Sequence, residues 1–400
     1  MQFATHNDPA TIRRGTLHFT SKDKSIETPA LIAYSIRGSV PHLVPDNLKL
    51  LPVDMVHVAL EHFVEHSEPP SFKYTKGLHN YINLQNHLLF CDVRDASKLD
   101  PASANTESYV AVDTHGGVRK VTTDVWIKAM EAYRPDWAAT PADVIKAGED
   151  VKNKRIRKAS DRTLRWLETC QLKAKELNIP LFAPVVGYNN DMERIRSAKA
   201  TAEKDVDGFV LNAFELEGES WIDAFTTSLK QLPTSKPKLA YGLSTPGKYI
   251  QNKRILKGVA IGIDMFDNSY AYEMTEKGRA ITFKFGEASL PTTKTIDLWE
   301  ESMSQSFIPL DPSCTCYSCS TPHSRAYIHH LLDAHEMLGP LLLMIHNIFQ
   351  LEQFMASIRK SIDQGRFEQD MESFLQAYSS IDEGVVLEDT PMKKKQPHVL

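Results

Sequence analysis

The chain has 400 residues, enough for one large domain or two ordinary ones, and its 42% hydrophobic and 24% charged shares fit a soluble globular protein rather than a disordered or fibrous one. Its formal charge of −5 excludes a surface that grips polyanions all round, so any nucleic-acid contact must come from a local basic patch or from a partner. No run reaches the roughly 18 consecutive apolar residues of a membrane helix, and the first residues lack the basic-then-apolar pattern of a secretory signal, so a reducing, cytosolic setting is expected.

Two β-like runs, 15–20 and 26–30, joined by the polar Ser21-Lys22-Asp23-Lys24, predict a hairpin at the start of the domain. Runs 55–60 and 87–93 are apolar and have the length of buried strands. Runs 109–112 and 118–121 flank Asp113-Thr114-His115-Gly116-Gly117, which reads as the tip of a second hairpin. From 136 the pattern becomes regular, with strands expected at 136–140, 180–187, 208–214, 238–243 and 262–267. Helices are expected between them at 155–177, 191–204, 220–232 and around 247–255. This alternation implies parallel strands with crossover helices.

A doubly wound sheet usually carries a G-x-G-x-x-G turn after its first strand, and none occurs here. A (β/α)8 barrel needs roughly 250 residues and tolerates insertions. The expected fold is therefore α/β, a (β/α)8 TIM barrel body with an N-terminal β-hairpin over 1–290. After 267 the alternation stops. One more strand is expected at 279–285, then a zinc-binding subdomain with C-terminal helices over 291–380, helical from 323 to 362 with a break near Gly339-Pro340. The tail 381–400, acidic and then basic, is expected to be disordered.

The cysteines point to a metal. Cys91 and Cys170 stand alone and read as small buried residues, whereas Cys314, Cys316 and Cys319 fall within six residues. Zinc takes about four nitrogen or sulfur ligands in a tetrahedron. A fourth ligand has to come from the histidines that follow: His323, His329, His330, His335 or His346. His346 lies in the apolar run Leu341-Leu342-Leu343-Met344-Ile345, where an unpartnered imidazole is costly to bury and ligation removes the cost. Four protein ligands leave no open position, so one structural zinc ion per chain is expected on Cys314, Cys316, Cys319 and His346. The densest basic run in the folded part, Lys152-Asn153-Lys154-Arg155-Ile156-Arg157-Lys158, is either a contact for nucleic-acid phosphates or a solvated helix start. Arg194, Arg196 and Lys199, on one expected helix, carry the same two readings.

Several segments together resemble one family. Cys314-Thr315-Cys316-Tyr317-Ser318-Cys319, Ser324-Arg325-Ala326-Tyr327-Ile328-His329-His330-Leu331-Leu332, Glu336-Met337-Leu338-Gly339 and Met344-Ile345-His346-Asn347 resemble the zinc segment of tRNA-guanine transglycosylases, the queuine tRNA-ribosyltransferases. Gly262-Ile263-Asp264-Met265-Phe266-Asp267 is similar to the strand that carries that family's aspartate nucleophile. Arg162-Thr163-Leu164-Arg165-Trp166-Leu167 and Gly77-Leu78-His79-Asn80-Tyr81 also resemble family segments, so the likeness spans about residues 15 to 380. It implies a (β/α)8 barrel with a zinc subdomain and, as activity, exchange of the wobble guanine of tRNA for queuine or its precursor.

The resemblance places Asp267 at the nucleophile position, but Asn268-Ser269-Tyr270-Ala271-Tyr272-Glu273 follows where the family reads Cys-Val-x-Pro-Thr-Arg. The family's acid/base aspartate, in Asp-Ser-Gly-Gly-Phe-Gln, is matched by Leu89-Phe90-Cys91-Asp92-Val93-Arg94-Asp95, with Cys91 at the aspartate's place and Asp92 one residue out of register. The purine-binding Val-Gln-Gly-Gly is matched by Val185-Val186-Gly187-Tyr188, with a tyrosine where a glycine keeps the pocket open. The purine-reading aspartate falls near 139–143 without its motif, and Asn212-Ala213-Phe214-Glu215-Leu216-Glu217-Gly218-Glu219 replaces a glycine-rich loop. These departures match a non-catalytic member of the family that pairs with a catalytic one as a heterodimer and shares a tRNA with a G34 anticodon. The resemblance also implies peripheral association with the mitochondrial outer membrane. Two other readings stay open: an active transglycosylase using Asp267 with a base such as Asp92, and a zinc-stabilised barrel that binds tRNA on its own.

Overall fold

The computed structural model describes the chain except for residues 7–10, 67, 98–103, 115, 245–250, 288, 289, 292, 322 and 379–400. Eight short apolar runs form one parallel sheet. They are β1 Ala30–Ile32, β2 Met55–Ala59, β3 Leu88–Asp92, β4 Trp137–Ala139, β5 Leu181–Val185, β6 Gly208–Asn212, β7 Lys238–Tyr241 and β8 Met265–Asp267. Strands β2 to β8 each pair with the next in sequence, and β8 returns to β1 through Met265–Ala30, Phe266–Leu31 and Asp267–Ile32. The gap between β1 and β2 closes where Ala33 N–H donates to Met55 O at 2.9 Å and His57 N–H donates to Ala33 O at 2.8 Å. The ring is an eight-stranded barrel, as expected.

Strands buried on both faces read as continuous apolar runs, which is why the sequence shows them so clearly. Inside the barrel, Ile32, Met55, Phe90, Trp137, Phe182, Leu239 and Met265 form one cluster. Leu17, Phe19 and Ile26 of the N-terminal sheet join it from the strands' N-terminal end, with the Phe19 and Trp137 rings 4.8 Å apart. That sheet differs from the expected hairpin. Gly15–Phe19 pairs with both Lys24–Thr28 and Gln2–Thr5, so it has three strands, and residue 30 already belongs to β1. Pro29, which has no N–H to donate to a ladder, separates the two elements.

Outside the barrel, helix Asn153–Glu176 buries Ile156, Ala159, Thr163, Trp166, Leu167, Cys170 and Ala174, the stripe of a 3.6-residue period. Helices Asp191–Ala202, Trp221–Leu229 and Gln251–Ala260 follow in turn. The hairpin Tyr109–Thr114 with Gly117–Thr122 is present and leads into an unforeseen helix, Thr123–Tyr133, whose start is fixed by the Thr122 side chain accepting from Val125 N–H.

After β8 come helix Ser269–Glu276 and a strand limited to Arg279–Ile281, paired with the unforeseen Thr295–Asp297. The helical stretch expected over 323–362 is present and broken into two, Arg325–Asp333 and Leu338–Asp363. The break lies at 334–337, with His335 at φ 56°, and not at Gly339-Pro340. Pro340 is the third residue of the second helix, where its missing N–H is one that first-turn geometry leaves unbonded anyway. Helix Leu338–Asp363 is long and apolar enough to cross a membrane, but most of its most apolar stretch is buried in the protein. The tail 381–400 and the first residues of the helix expected around 247 fall outside the described residues.

Candidate functional site: a cysteine–histidine cluster and the barrel mouth

The loop after Leu310 turns tightly, with Cys314 N–H donating to Asp311 O and Cys319 N–H to Cys316 O, both at 3.1 Å. This brings three sulfurs to one side, where Cys316 N–H also faces Cys314 Sγ at 3.4 Å. Helix Leu338–Asp363 supplies the fourth group: His346 Nδ1 lies 3.3 Å from Cys319 Sγ and 3.6 Å from Cys316 Sγ. All four ligand atoms lie within 4.8 Å of one another, and all four residues are buried. Zinc bonds of about 2.0–2.3 Å give a tetrahedron with edges of about 3.6 Å, so these separations suit such an ion. The far ring nitrogen, His346 Nε2, is 2.8 Å from Ile281 O and donates to it, which leaves the Nδ1 lone pair aimed at the sulfurs. In this close-set group, hydrogen bonds from Cys316 and Cys319 drive the Cys314 thiol down, and the same contacts drive Cys316 up, so without a metal the cluster favours one shared negative charge. The other histidines stay outside the cluster: His329 Nδ1 contacts Leu298 O at 2.7 Å, and the His323 ring lies between Tyr317 and Tyr327.

At the barrel mouth the residues singled out from the sequence lie at or just after the C-terminal ends of their strands, where barrel enzymes place their chemistry. Strand alternation settles the register of β3. Phe90 points into the barrel and Cys91 into the layer of helices, so Asp92, not Cys91, lines the mouth. Burial lifts the Asp92 carboxyl to about 6, although Val93 N–H donates to it at 2.6 Å. Asp267 is held by serines. Its Oδ1 accepts from Ser244 Oγ, from Ser269 Oγ at 2.5 Å and from Ser269 N–H at 3.1 Å, while Oδ2 has no hydrogen-bond partner. Burial raises its pKa.

Asp143, at the end of the stretch 139–143 near which the purine reader was expected, is fully buried and bound by the chain itself. Arg155 grips it with two hydrogen bonds of 2.8 and 2.9 Å, Arg162 donates to the same carboxylate, and Asn105 Nδ2 donates at 2.7 Å. Tyr188 does not plug the pocket as its position suggested. At φ 51° its ring turns outward onto Ile145, Ile156 and Ala159. The bulk comes instead from Val144 and Val186, packed with Ala142 and Phe214. The loops after β5 and β6 are tied by Arg194, whose guanidinium donates to Tyr188 O and to Glu215 Oε2, both at 2.7 Å. Arg194 is thus fully buried and unavailable to nucleic acid, and Arg196 is engaged with Asp161 and Glu193. What remains between Asp92, Thr140, Val186, Asn212 and Tyr241 is a cavity of about 40 Å³. Small-molecule sites occupy roughly 300–1,000 Å³, whereas a water needs only about 10–15 Å³. A cavity of this size has room for a few waters and is far smaller than a purine site.

A wider recess of about 490 Å³ beside it, lined by Tyr34, Glu61, His62, Asp95 and Tyr272 among others, had no local signal in the sequence because Glu61 and Asp95 come from different strand ends. Its cluster of Glu61, His62 and Asp95 is satisfied internally. Asp95 accepts from Tyr34 Oη at 2.8 Å, His62 Nε2 at 3.1 Å, and Ser97 N–H and Oγ at 2.7 Å each.

The cysteine–histidine region also bears an apolar face. Arg325 N–H donates to Ile308 O and Ala326 N–H to Ser306 O, both at 2.9 Å, which lays Phe307 and Ile308 beside helix Arg325–Asp333. The His323 ring stands 5.8 Å from Tyr317 and 6.0 Å from Tyr327. Phe307 is 76% exposed and Met337 86%, with Ile308, Tyr317 and Tyr327 also open to solvent.

Comparison with known proteins fits this picture. The family described as queuine tRNA-ribosyltransferase matches residues 8–380. Proteins named queuine tRNA-ribosyltransferase accessory subunit 2 are similar over most of their length. The Xenopus tropicalis protein is 30% identical, covering 86% of this chain and 91% of its own. The Trichoplax adhaerens protein is 32% identical over 89% and 94%, and the human protein 29% identical over 87% and 92%. With a closed eight-stranded barrel, a buried Cys3His cluster and a match along nearly its whole length, this chain belongs to the queuine tRNA-ribosyltransferase family.

Proposed function

We propose that the chain is the accessory, non-catalytic subunit of a heterodimeric queuine tRNA-ribosyltransferase. It supports exchange of the wobble guanine of tRNA for queuine by pairing with a catalytic subunit and holding part of the tRNA. The observation that carries this is the closed base pocket, where about 40 Å³ remains and Asp143 is bound by Arg155 and Arg162. A site that reads its substrate by hydrogen bonds loses about 10⁴ in discrimination when those bonds go unmatched, and loss of a general acid/base costs about 10²–10⁴ more. Asp267, with one oxygen taken up by serines, does not offset losses of that size. The relatives' shared name, accessory subunit 2, supports the same reading.

In this reading Cys314, Cys316, Cys319 and His346 hold one structural zinc ion, whose four protein ligands leave no place for water or substrate. The catalytic subunit docks on the apolar face around Phe307, Ile308, Tyr317 and Tyr327, since aromatic residues open to water on a charged chain mark a protein interface. The assembly works in the cytosol, peripheral to the mitochondrial outer membrane, and the five free, buried cysteines are compatible with a reducing compartment. Sizing of the co-expressed pair tests the docking face. The wild-type chain is expected to elute as a one-to-one complex, and Phe307→Glu with Tyr327→Glu to elute apart from the catalytic chain with an unchanged melting temperature. A complex that survives both substitutions contradicts this face.

A further inference from the structure

On helix Asn153–Glu176 the dense basic run divides into two sets. Arg155 turns inward onto Asp143, as does Arg162 two turns later. Lys152, Lys154, Arg157 and Lys158 turn outward and are exposed. None of these four forms an ion pair among the described residues, although most other basic side chains nearby do. Arg165 is bound to Glu107, and Arg196 to Asp161 and Glu193. Lys158 contributes weakly to holding the Glu107 carboxyl down, but that carboxylate is already held by Arg162 and Arg165. Glu149 and Asp150 precede the run and are exposed, and among the described residues no ion pair joins them to it. Residues 154, 157 and 158 share one helical face, because positions three and four apart are neighbours. The helix begins after the loop that follows β4, on the mouth side of the barrel, and Arg155, from the same first turn, bonds Asp143 of that loop, so the patch lies at the mouth's rim.

An unneutralised basic stripe on a chain of net charge −5 suits a polyanion reached locally rather than over the whole surface. We propose that Lys152, Lys154, Arg157 and Lys158 form the surface by which this chain takes the phosphate backbone of the RNA worked on by the complex. The site reads no base; it positions, as phosphate contacts do. The same charges would also attract an anionic lipid surface, but their place beside the pocket rim favours RNA. This inference rests on the accessory-subunit reading above.

The test compares the wild-type complex with one carrying K152A/K154A/R157A/K158A, all in the accessory chain. The KM for tRNA in base exchange is expected to rise at least about tenfold at 0.15 M salt with kcat unchanged at saturating tRNA. The dependence of log affinity on log salt is expected to lose about 0.9 for each phosphate contact removed. The one-to-one complex and its melting temperature stay as in the wild type. An unchanged KM and salt slope in an active complex overturns the patch and leaves the accessory-subunit reading standing. Unchanged tRNA binding with lost pelleting on phosphatidylserine vesicles also overturns it, in favour of a lipid surface. Failure of the wild-type pair to form an active complex overturns both.

Discussion

Asp143 and His57 are the side chains whose surroundings make the sharpest demands. Asp143 has no exposure and balances two arginines, one of them, Arg162, itself only 7% exposed. Removing one member of such a buried arrangement strands the others, which costs about 3–5 kcal/mol. Asp143→Ala is therefore expected to destabilise the chain by about that amount in urea unfolding; a loss under about 1 kcal/mol contradicts the clamp. His57 lies inside the barrel with its ring 5.7 Å from those of Phe90 and Tyr241, and neither nitrogen has a partner. Burial pulls its pKa down to about 4 from 6.5. The unfolded chain then binds a proton that the folded chain refuses, so the stability tied to this group is full above pH 6.5 and falls as the pH drops toward 4. By that linkage the group accounts for a loss of about 2 kcal/mol between about pH 7.5 and 5. His57→Phe is expected to remove that part of the pH dependence, and a variant that loses stability on acidification as steeply as the wild type contradicts it.

Among the elements, the loop 311–321 and helix Leu338–Asp363 depend on each other through the cysteine–histidine cluster. Leu298, Leu310, Ile328, Leu331, Leu332, Leu342 and Leu343 pack around the cysteines, a small core beside the barrel's own. Metal-binding energy in such a site is folding energy. Purified protein is expected to carry one zinc per chain, and chelation or His346→Ala to expose the amides of this region to hydrogen exchange while β1–β8 stay protected. Metal content well below one equivalent, or unchanged content in His346→Ala, contradicts the ligand set. The gathering of these four residues was legible in the sequence because three fall within six residues and the fourth sits in an apolar run that otherwise excludes it. Strands β5 to β8 were legible for a similar local reason, being apolar runs bounded by helices of clear period. What escaped is long-range. The closure at Ala33 and Val56, the pairing of Thr295–Asp297, and the grip of Arg155 on Asp143 depend on where distant segments meet. The Gly339-Pro340 break was misplaced because proline stops a helix interior but not its first turn. Tyr188 was misread because a side chain's direction follows from its backbone, here at positive φ, and not from its position in an alignment.

At the scale of the whole molecule, the chain is an eight-stranded barrel with a buried Cys3His cluster beside it, and its own side chains fill the mouth. An apolar face beside the cluster and a basic stripe on the mouth's rim remain open to solvent. On the proposed reading, a barrel with so little room at its mouth and open outer surfaces holds a partner and an RNA and leaves the exchange to the catalytic chain. The most direct test measures incorporation of labelled guanine into tRNA by this chain alone, by a catalytic family member alone, and by the two co-purified. Full activity only in the mixture is the predicted result. Exchange by this chain alone would contradict the account, and would make Asp267 a working nucleophile in a pocket that opens when tRNA binds.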